Sequence, residues 1–372
     1  MIRTARCPGA ALAAVAVLAT ATTCPALVEV IDATVRAEAV ERILGQPPNT
    51  DSAFEDLVET SGLFPLLVDV GFERPGHDGQ TASRVALRAS VADPRQGERP
   101  DPDELGIVGL AVSGDPAITH SGRSEVTEVR EIVFLPEELQ VEAGVEVRAY
   151  SHFFLDGVLV VAGDFASASG DPTFATCLVT VSKDDLDGSE PQVLLSQEVR
   201  LIRTADGAGQ MTLSGPLQPR NVVFVSKTPE PPDDPLSLYA VVVPTAAIPY
   251  EYRAVVGQRF RLIARVEGRL ANEPSTSAYL LLGLPAEELA GVLQDLEGGN
   301  VPPPPIDTLK PLIEAAGPPA KPLQALFQGT RIETEIEPHF VLAWPGCGLG
   351  GVEAAVLALL MPLGGTRLRR GW

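Results

Sequence analysis

The most concentrated set of potential metal ligands is an acidic loop. Four carboxylates, Asp184, Asp185, Asp187 and Glu190, stand within seven residues and directly follow a predicted strand. Carboxylate oxygens are the ligands that Ca²⁺ prefers. Lys183 occupies the position that the first aspartate of an EF-hand loop would take, so that spacing is not matched. A calcium site and a solvated turn both stay open for this loop.

The central sequence contains no compact catalytic motif. Walker A, HExxH, CxxC and GxSxG patterns are all missing from it. The histidines, His77, His120, His152 and His339, are scattered along the chain, and we expect them to be solvated or hydrogen-bonded surface imidazoles. We therefore expect a protein that is not an enzyme and has no cofactor. A glycan hydrolase, with two carboxylates converging across a cleft, is a less favoured alternative.

The acidic charge excludes nucleic acid as a partner. The chain has a formal net charge of −21. Binding to phosphate backbones requires clustered positive charge that displaces counterions. Both ends of the chain are basic, so removing them would leave the body even more acidic.

Sugar binding is the next class to consider, because secreted β-proteins often bind glycans through aromatic platforms. The only two tryptophans, Trp344 and Trp372, lie at the C-terminal end of the chain. Tyr250 and Tyr252 share one face of a predicted strand and could form a weak platform, but packing against the sheet is the favoured interpretation.

A stripe of arginines offers a second surface for an anionic polymer. These arginines share one face of a predicted strand: Arg259, Arg261, Arg265 and Arg269. The other face of the strand is apolar, which is typical of a strand with one face towards water. We favour a solvated face on which the arginines pair with Glu267 and neighbouring acids.

The N-terminus has the pattern of a secretory signal peptide. Arg3 and Arg6 supply the basic region, Ala10 to Leu18 supply the apolar region, and the small residues around Ala21 predict cleavage after that residue. A lipoprotein with its acyl chain on Cys24 is the alternative.

The C-terminal 29 residues, 344–372, contain three consecutive signals. Cys347, Gly350 and Gly351 come first, the apolar run Val352 to Leu363 follows, and a basic cluster ends the segment: Arg367, Arg369 and Arg370. A helix of about 12 residues is about 18 Å long, which is short of the roughly 30 Å hydrocarbon core of a bilayer. The pattern therefore predicts a transient membrane segment rather than a permanent anchor.

A signal peptide combined with such a tail resembles the bacterial C-terminal sorting families of the PEP-CTERM, GlyGly-CTERM and Myxo-CTERM types. The resemblance implies that an intramembrane or exosortase-like protease processes the tail and that the body is delivered to the cell surface. It also implies that Cys347, Gly350 and Gly351 are recognition positions. No Pro-Glu-Pro triplet and no Ser/Thr-rich linker precede the apolar run, so the processing enzyme stays open.

The body between the two ends alternates apolar and polar residues with period two, which predicts an all-β, antiparallel sandwich of jelly-roll type. Asp156-Gly157 between two apolar runs predicts a type I′ hairpin turn. Cys177 shares a face with apolar neighbours and is expected in the core. The other predicted strands are 28–43, 83–91, 107–112, 174–181, 194–204, 210–213, 222–225, 238–243, 259–270 and 331–337.

Helical spacing interrupts this pattern over residues 285–328. Two apolar faces are formed by Leu289, Val292, Leu293 and Leu296, and by Ile306, Leu309, Leu312 and Ile313. Glycine and proline bound both segments. We expect a helical insertion that caps one end of the sandwich.

These patterns divide the chain into a signal peptide (1–21), a β-sandwich body (22–343) and a sorting tail (344–372). The predicted function is that of a secreted structural or adhesive protein of the cell envelope or matrix, and a polysaccharide-binding module is the alternative. The expected partners are the export machinery and a tail-processing membrane protease, with extracellular polysaccharide as a candidate ligand. The expected location is the cell surface, with transient membrane anchoring through the tail.

Overall fold

The described part of the protein is built almost entirely from β-strands. The computed structural model describes residues 26–57, 65–74, 83–91, 104–163, 172–204, 208–227, 237–274, 276–283, 323–324, 331–334 and 341–342. Within these ranges the only helical elements are α1 (Pro136–Leu139) and one 3-10 turn (Pro219–Asn221). The remaining elements are strands in two antiparallel sheets, which confirms the predicted all-β sandwich.

Among the described residues, sheet A contains seven strands. They are β1 (Ala26–Ile43), β2 (Asn49–Asp56), β6 (Ile118–Phe134), β8 (Phe174–Asp184), β9 (Gln192–Arg203), β10 (Gly209–Ser214) and β13 (Arg259–Asn272). Their order across the sheet is β10-β9-β8-β13-β6-β1-β2.

In the part of the chain that the structure describes, sheet B contains ten strands. They are β3 (Leu66–Arg74), β4 (Ser83–Val91), β5 (Glu104–Val112), β7 (Glu146–Gly163), β11 (Val223–Lys227), β12 (Ser237–Val255), β14 (Thr276–Leu282), β15 (Leu323–Gln324), β16 (Arg331–Thr334) and β17 (Val341–Leu342). The main path is β11-β12-β7-β14-β5-β4-β3; β15 pairs with β5 and β7, and β16 pairs with β7 and β17.

The period-two pattern places one face of each long strand in the interior. Along β6, buried residues alternate with partly exposed ones from Val126 to Phe134, as the pleat of a strand requires. The strands are unusually long, with 17 residues in β6 and 19 in β12. At about 3.4 Å per residue the longest strand spans roughly 60 Å.

The two sheets face each other across an apolar core. Phe134 and Phe260 are fully buried with ring centroids 5.5 Å apart, and Tyr252 packs on Phe260 at 5.7 Å. Cys177 is 1% exposed in the same core, as predicted, and burial raises the pKa of its thiol to about 12. Gly268 lets the sheets approach, because a Cβ atom there would overlap the Leu280 side chain of the facing strand.

The predicted hairpin turn at Asp156-Gly157 is wrong. β7 continues through both residues, and it pairs with β12 on both sides of them, at Leu155↔Ala246 and Gly157↔Val243. The irregularity lies in β12, where the register shifts between Val243 and Ala246. Gly157 is needed for close approach instead, since a Cβ atom there would lie 2.5 Å from the Leu281 carbonyl oxygen.

Three short strands pair with successive segments of β7. In turn, β14, β15 and β16 pair with β7 at residues 157–163, 154 and 147–150, all antiparallel to it. The predicted helical insertion, 285–328, lies outside the described residues except for Leu323–Gln324, which form β15.

Both ends of the chain, 1–25 and 343–372, lie outside the described residues. Among the residues that are described, no helix is long and apolar enough to cross a membrane.

Candidate functional site

The most unusual group of side chains is a buried polar cluster at one end of the sandwich. Four polar residues from neighbouring strands of sheet A lie directly opposite one another: Asn49, Glu41, His120 and Asn272. Glu41, His120 and Asn272 are at most 3% exposed. Buried polar groups require compensating hydrogen bonds, so the partners of this row decide what it can do.

The Glu41 carboxylate is held by three hydrogen bonds. Arg74, from β3 of the opposite sheet, donates Nε to Oε1 and Nη2 to Oε2, both at 2.7 Å. Asn49 adds a hydrogen bond of 2.9 Å to Oε2. The hydrogen bond from Arg74 is the main reason that the pKa of Glu41 lies below its ordinary value, despite its burial. The carboxylate is therefore charged and links the two sheets.

His120 lies beside this ion pair as a neutral imidazole. Its Nε2 atom is 3.9 Å from Oε1 of Glu41. Desolvation lowers the pKa of His120 to about 4, against the opposing effect of Glu41. Neither ring nitrogen has a hydrogen-bond partner among the described residues. The expectation of a surface imidazole is wrong for His120. The buried residues of β6 are the even-numbered ones, and His120 is one of them.

The polar cluster continues across the end of the sandwich. Asn272 donates to the backbone oxygens of Glu273 and Thr276 at 3.0 and 3.1 Å. Nη2 of Arg203 donates to both carboxylate oxygens of Glu273 at 2.9 and 2.7 Å. Both side chains of this ion pair are at most 5% exposed. We call the set Glu41, Arg74, His120, Asn272, Arg203 and Glu273 the polar layer.

The polar layer is better suited to structural pairing than to catalysis. Both of its carboxylates are occupied by arginine. An imidazole with a pKa near 4 is a weak base at neutral pH. Within the described residues, no group of three His, Cys, Asp or Glu side chains could hold a metal ion.

A third ion pair lies in the core. Glu128 and Arg130 follow each other on the inner face of β6 and contact each other directly, with 0% and 7% of their side chains exposed. Tyr250 lies nearby, and burial raises the pKa of its hydroxyl. Burying two charges is costly, so the presence of such a pair is weak evidence for added stability, whereas removing one partner would leave a buried charge.

The arginine stripe lies on the outer face of sheet A, where its members pair with acids. Arg259 donates to Glu131 at 2.6 Å and Arg265 donates to Glu125 at 2.6 Å, while Arg269 contacts Glu267. Burial raises the pKa of Glu267, but Arg269 and Arg123 outweigh that effect, and the net pKa is below its ordinary value. The predicted paired, solvated face is confirmed.

The acidic loop after β8 satisfies three of its four carboxylates locally. Asp184 accepts a hydrogen bond from the backbone of Leu186, and Asp187 accepts one from Ser189, both at 2.9 Å. The Asp185 carboxylate pairs with Lys183. This arrangement is that of a solvated turn, in which the described carboxylates form no shared metal site.

The two tyrosines that could have formed a sugar platform are in the core. Tyr250 and Tyr252 are 5% and 3% exposed, and their rings stack at 6.2 Å. The prediction that they pack against the sheet is confirmed, so they offer no exposed stacking surface.

The predicted processing residues fall outside the described residues. These residues are Ala21, Cys347, Gly350, Gly351, Arg367, Arg369 and Arg370. The residues of the polar layer were missed by the sequence analysis. The usable signal is the parity of each strand, since Glu41 continues the inward series of Val35, Ala37 and Ala39.

Comparison with known proteins does not assign this chain to a family. No family profile matches the sequence, and no curated protein is significantly similar to it.

Proposed function

We propose that this chain is a secreted structural or adhesive protein, delivered to the cell surface by its C-terminal sorting tail. The observation that carries the proposal is the outer face of sheet A. Long strands there present rows of arginine and glutamate that neutralise one another, including the pairs Arg259–Glu131 and Arg265–Glu125. A broad, hydrated and internally paired surface suits lateral contacts in an envelope or matrix.

The two ends of the chain supply the delivery part of the proposal. The signal-peptide pattern ends at Ala21, and the tail 344–372 resembles sorting tails. The test is mass spectrometry of the mature protein recovered from its native cell. We expect an N-terminus after Ala21 and a C-terminus lacking the apolar run. An intact C-terminus in a cytoplasmic fraction would contradict the proposal.

The structural role requires its own test. Protease treatment of intact cells should release fragments of the body, and deletion of the gene should weaken surface attachment or cohesion. A chain lacking residues 344–372 should restore secretion but not attachment. If the truncated chain restores attachment fully, the tail has no part in delivery.

Binding to an anionic polysaccharide is a second candidate, favoured by the exposure of two arginines in the stripe. The side chains of Arg259 and Arg269 are 69% and 54% exposed, although both contact glutamates. A glycan array should then show salt-sensitive binding to acidic glycans, which Arg259→Ala and Arg269→Ala reduce. Arg253→Ala, on the other sheet, is the matched control because Arg253 is similarly exposed and paired with Glu146.

A further inference from the structure

The outer face of sheet B, which points away from sheet A, is apolar across its middle strands. One row of directly paired positions crosses six strands without a charged residue: Ala86, Leu110, Tyr279, Val160, Ala240 and Val225. The neighbouring rows add Val108, Val112, Val158, Ala162, Leu238, Val242 and Leu281. We call these residues the outer patch.

The outer patch is buried, although its position is on the outside of the sandwich. Leu110, Val160 and Ala240 are each 0% exposed. Sheet A packs on the opposite face of sheet B, and every strand in the described part of the chain belongs to one of the two sheets. Strands buried on both faces read as continuous apolar runs, as residues 158–162 do. The outer patch therefore requires a cover.

The spacing of the strands and of the residues along them gives the dimensions that the cover must have. At about 4.8 Å between strands, six strands span about 24 Å, and three rows about 7 Å apart span about 14 Å. Ion pairs limit the patch beyond Ala86, where Arg88 contacts Asp69 at 2.7 Å. The dimensions fit two helices side by side, since each helix is about 10 Å wide.

The chain leaves and re-enters sheet B beside this patch. β14 ends at Leu282, opposite Ile107, and β15 begins at Leu323, opposite Leu105. Positions two residues apart on β5 are about 7 Å apart, so the whole segment 283–322 begins and ends at one point of the sheet. The inner side of that point is filled by the core around Leu280 and Leu282. A segment with both ends at this point has the outer patch within reach.

We propose that residues 285–316 cover the outer patch as a third layer. Their sequence has two apolar faces at helical spacing, one from Leu289 to Leu296 and one from Ile306 to Ile313. Helices of about 12 residues are about 18 Å long, which matches the patch. The segment then lies on a face of sheet B rather than over an end of the sandwich.

A labelling experiment on the full chain tests this directly. Ala240→Cys places a small thiol at the centre of the outer patch. The matched control is Thr212→Cys, because Thr212 is exposed on strand β10 of sheet A. We expect the thiol at position 240 to react at least about tenfold more slowly than the control, as read by mass spectrometry of the peptide. Replacing 285–316 by a short Gly-Ser linker should remove that protection.

Persistent protection in the shortened chain would overturn the proposal. If sedimentation then shows a monomer, the apolar run Val352 to Leu363 is the better occupant; if it shows a dimer, a second copy is.

A paired substitution in the full chain covers the case in which the shortened chain does not fold. Leu293→Asp should speed labelling at position 240, whereas Gln294→Asp, one residue on, should leave it unchanged. Equal effects of the two substitutions would overturn the proposal.

Discussion

Arg74 and Glu41 join the two sheets through a bidentate ion pair, with both N···O distances at 2.7 Å. The carboxylate is fully buried, while 46% of the arginine side chain is exposed. Removing the arginine would leave a buried charge with Asn49 as its remaining hydrogen-bond donor. The main effect of the pair should therefore appear when it is broken, because the Glu41 charge is then left buried without its arginine partner.

We expect Arg74→Met to lower the free energy of unfolding by about 3 kcal/mol, because the Glu41 carboxylate loses its charge partner. Urea denaturation at neutral pH measures the effect. Arg253→Met is the control, since its exposed pair with Glu146 should be worth about 1 kcal/mol or less. Equal losses in the two variants would show that the Arg74 pair has no special role.

His120 should make the protein less stable at mildly acidic pH. Its pKa is about 4 in the folded state, against an ordinary value of 6.5. Below pH 6.5 the unfolded chain binds a proton that the folded chain does not, so stability falls as the pH falls towards 4. The total loss is roughly 3 kcal/mol, and above pH 6.5 the residue contributes no pH dependence.

The matched variants are His120→Gln and His152→Gln. Unfolding free energies measured from pH 8 to pH 4 should show a shallower decline for His120→Gln than for the unmodified protein. Half-buried His152, whose pKa burial also lowers, should have the smaller effect. The assignment fails if His120→Gln leaves the slope unchanged.

The fold was predictable where alternation was clear. The predicted strand 259–270 covers most of β13, whose one solvent-exposed face and one buried face produce period two directly. The predicted strand 83–91 has the bounds of β4. The strands β2, β3, β6, β14, β15 and β17 were not predicted, and β15 lies within the predicted helical insertion. In β6, buried His120 and Glu128 interrupt the apolar series, so the inward face does not read as hydrophobic.

The error at Asp156-Gly157 has a different cause. The turn preference of that dipeptide is local, whereas the pairing of Leu155 and Gly157 with β12 is set by residues about 90 positions later in the chain. The polar layer was unpredictable for a similar reason, since Arg74 and Glu41 are 33 residues apart and meet only when the two sheets pack.

The ion pair Arg203–Glu273 should be strongly coupled. Both side chains are buried, so Glu273→Gln or Arg203→Met alone should cost about 3 to 5 kcal/mol, while the double variant should recover part of that loss. A double-mutant cycle by urea denaturation gives the coupling energy. The same cycle on Arg253 and Glu146 is the control, and strictly additive losses at the buried pair would refute the coupling.

Gly268 should be intolerant of even one added methyl group. A Cβ atom there would overlap Leu280 on the facing sheet and lie 3.0 Å from Cγ2 of Ile107, so Gly268→Ala forces the packed Leu280 side chain to move and should cost about 1 to 3 kcal/mol. Leu280→Ala alone should also destabilise the protein, because it leaves a cavity. If the overlap with Leu280 is the cause, the double variant should be more stable than the sum of the two losses predicts. Thermal unfolding of the four proteins gives the answer, and additive losses would place the origin of the effect elsewhere, in the backbone preference of alanine.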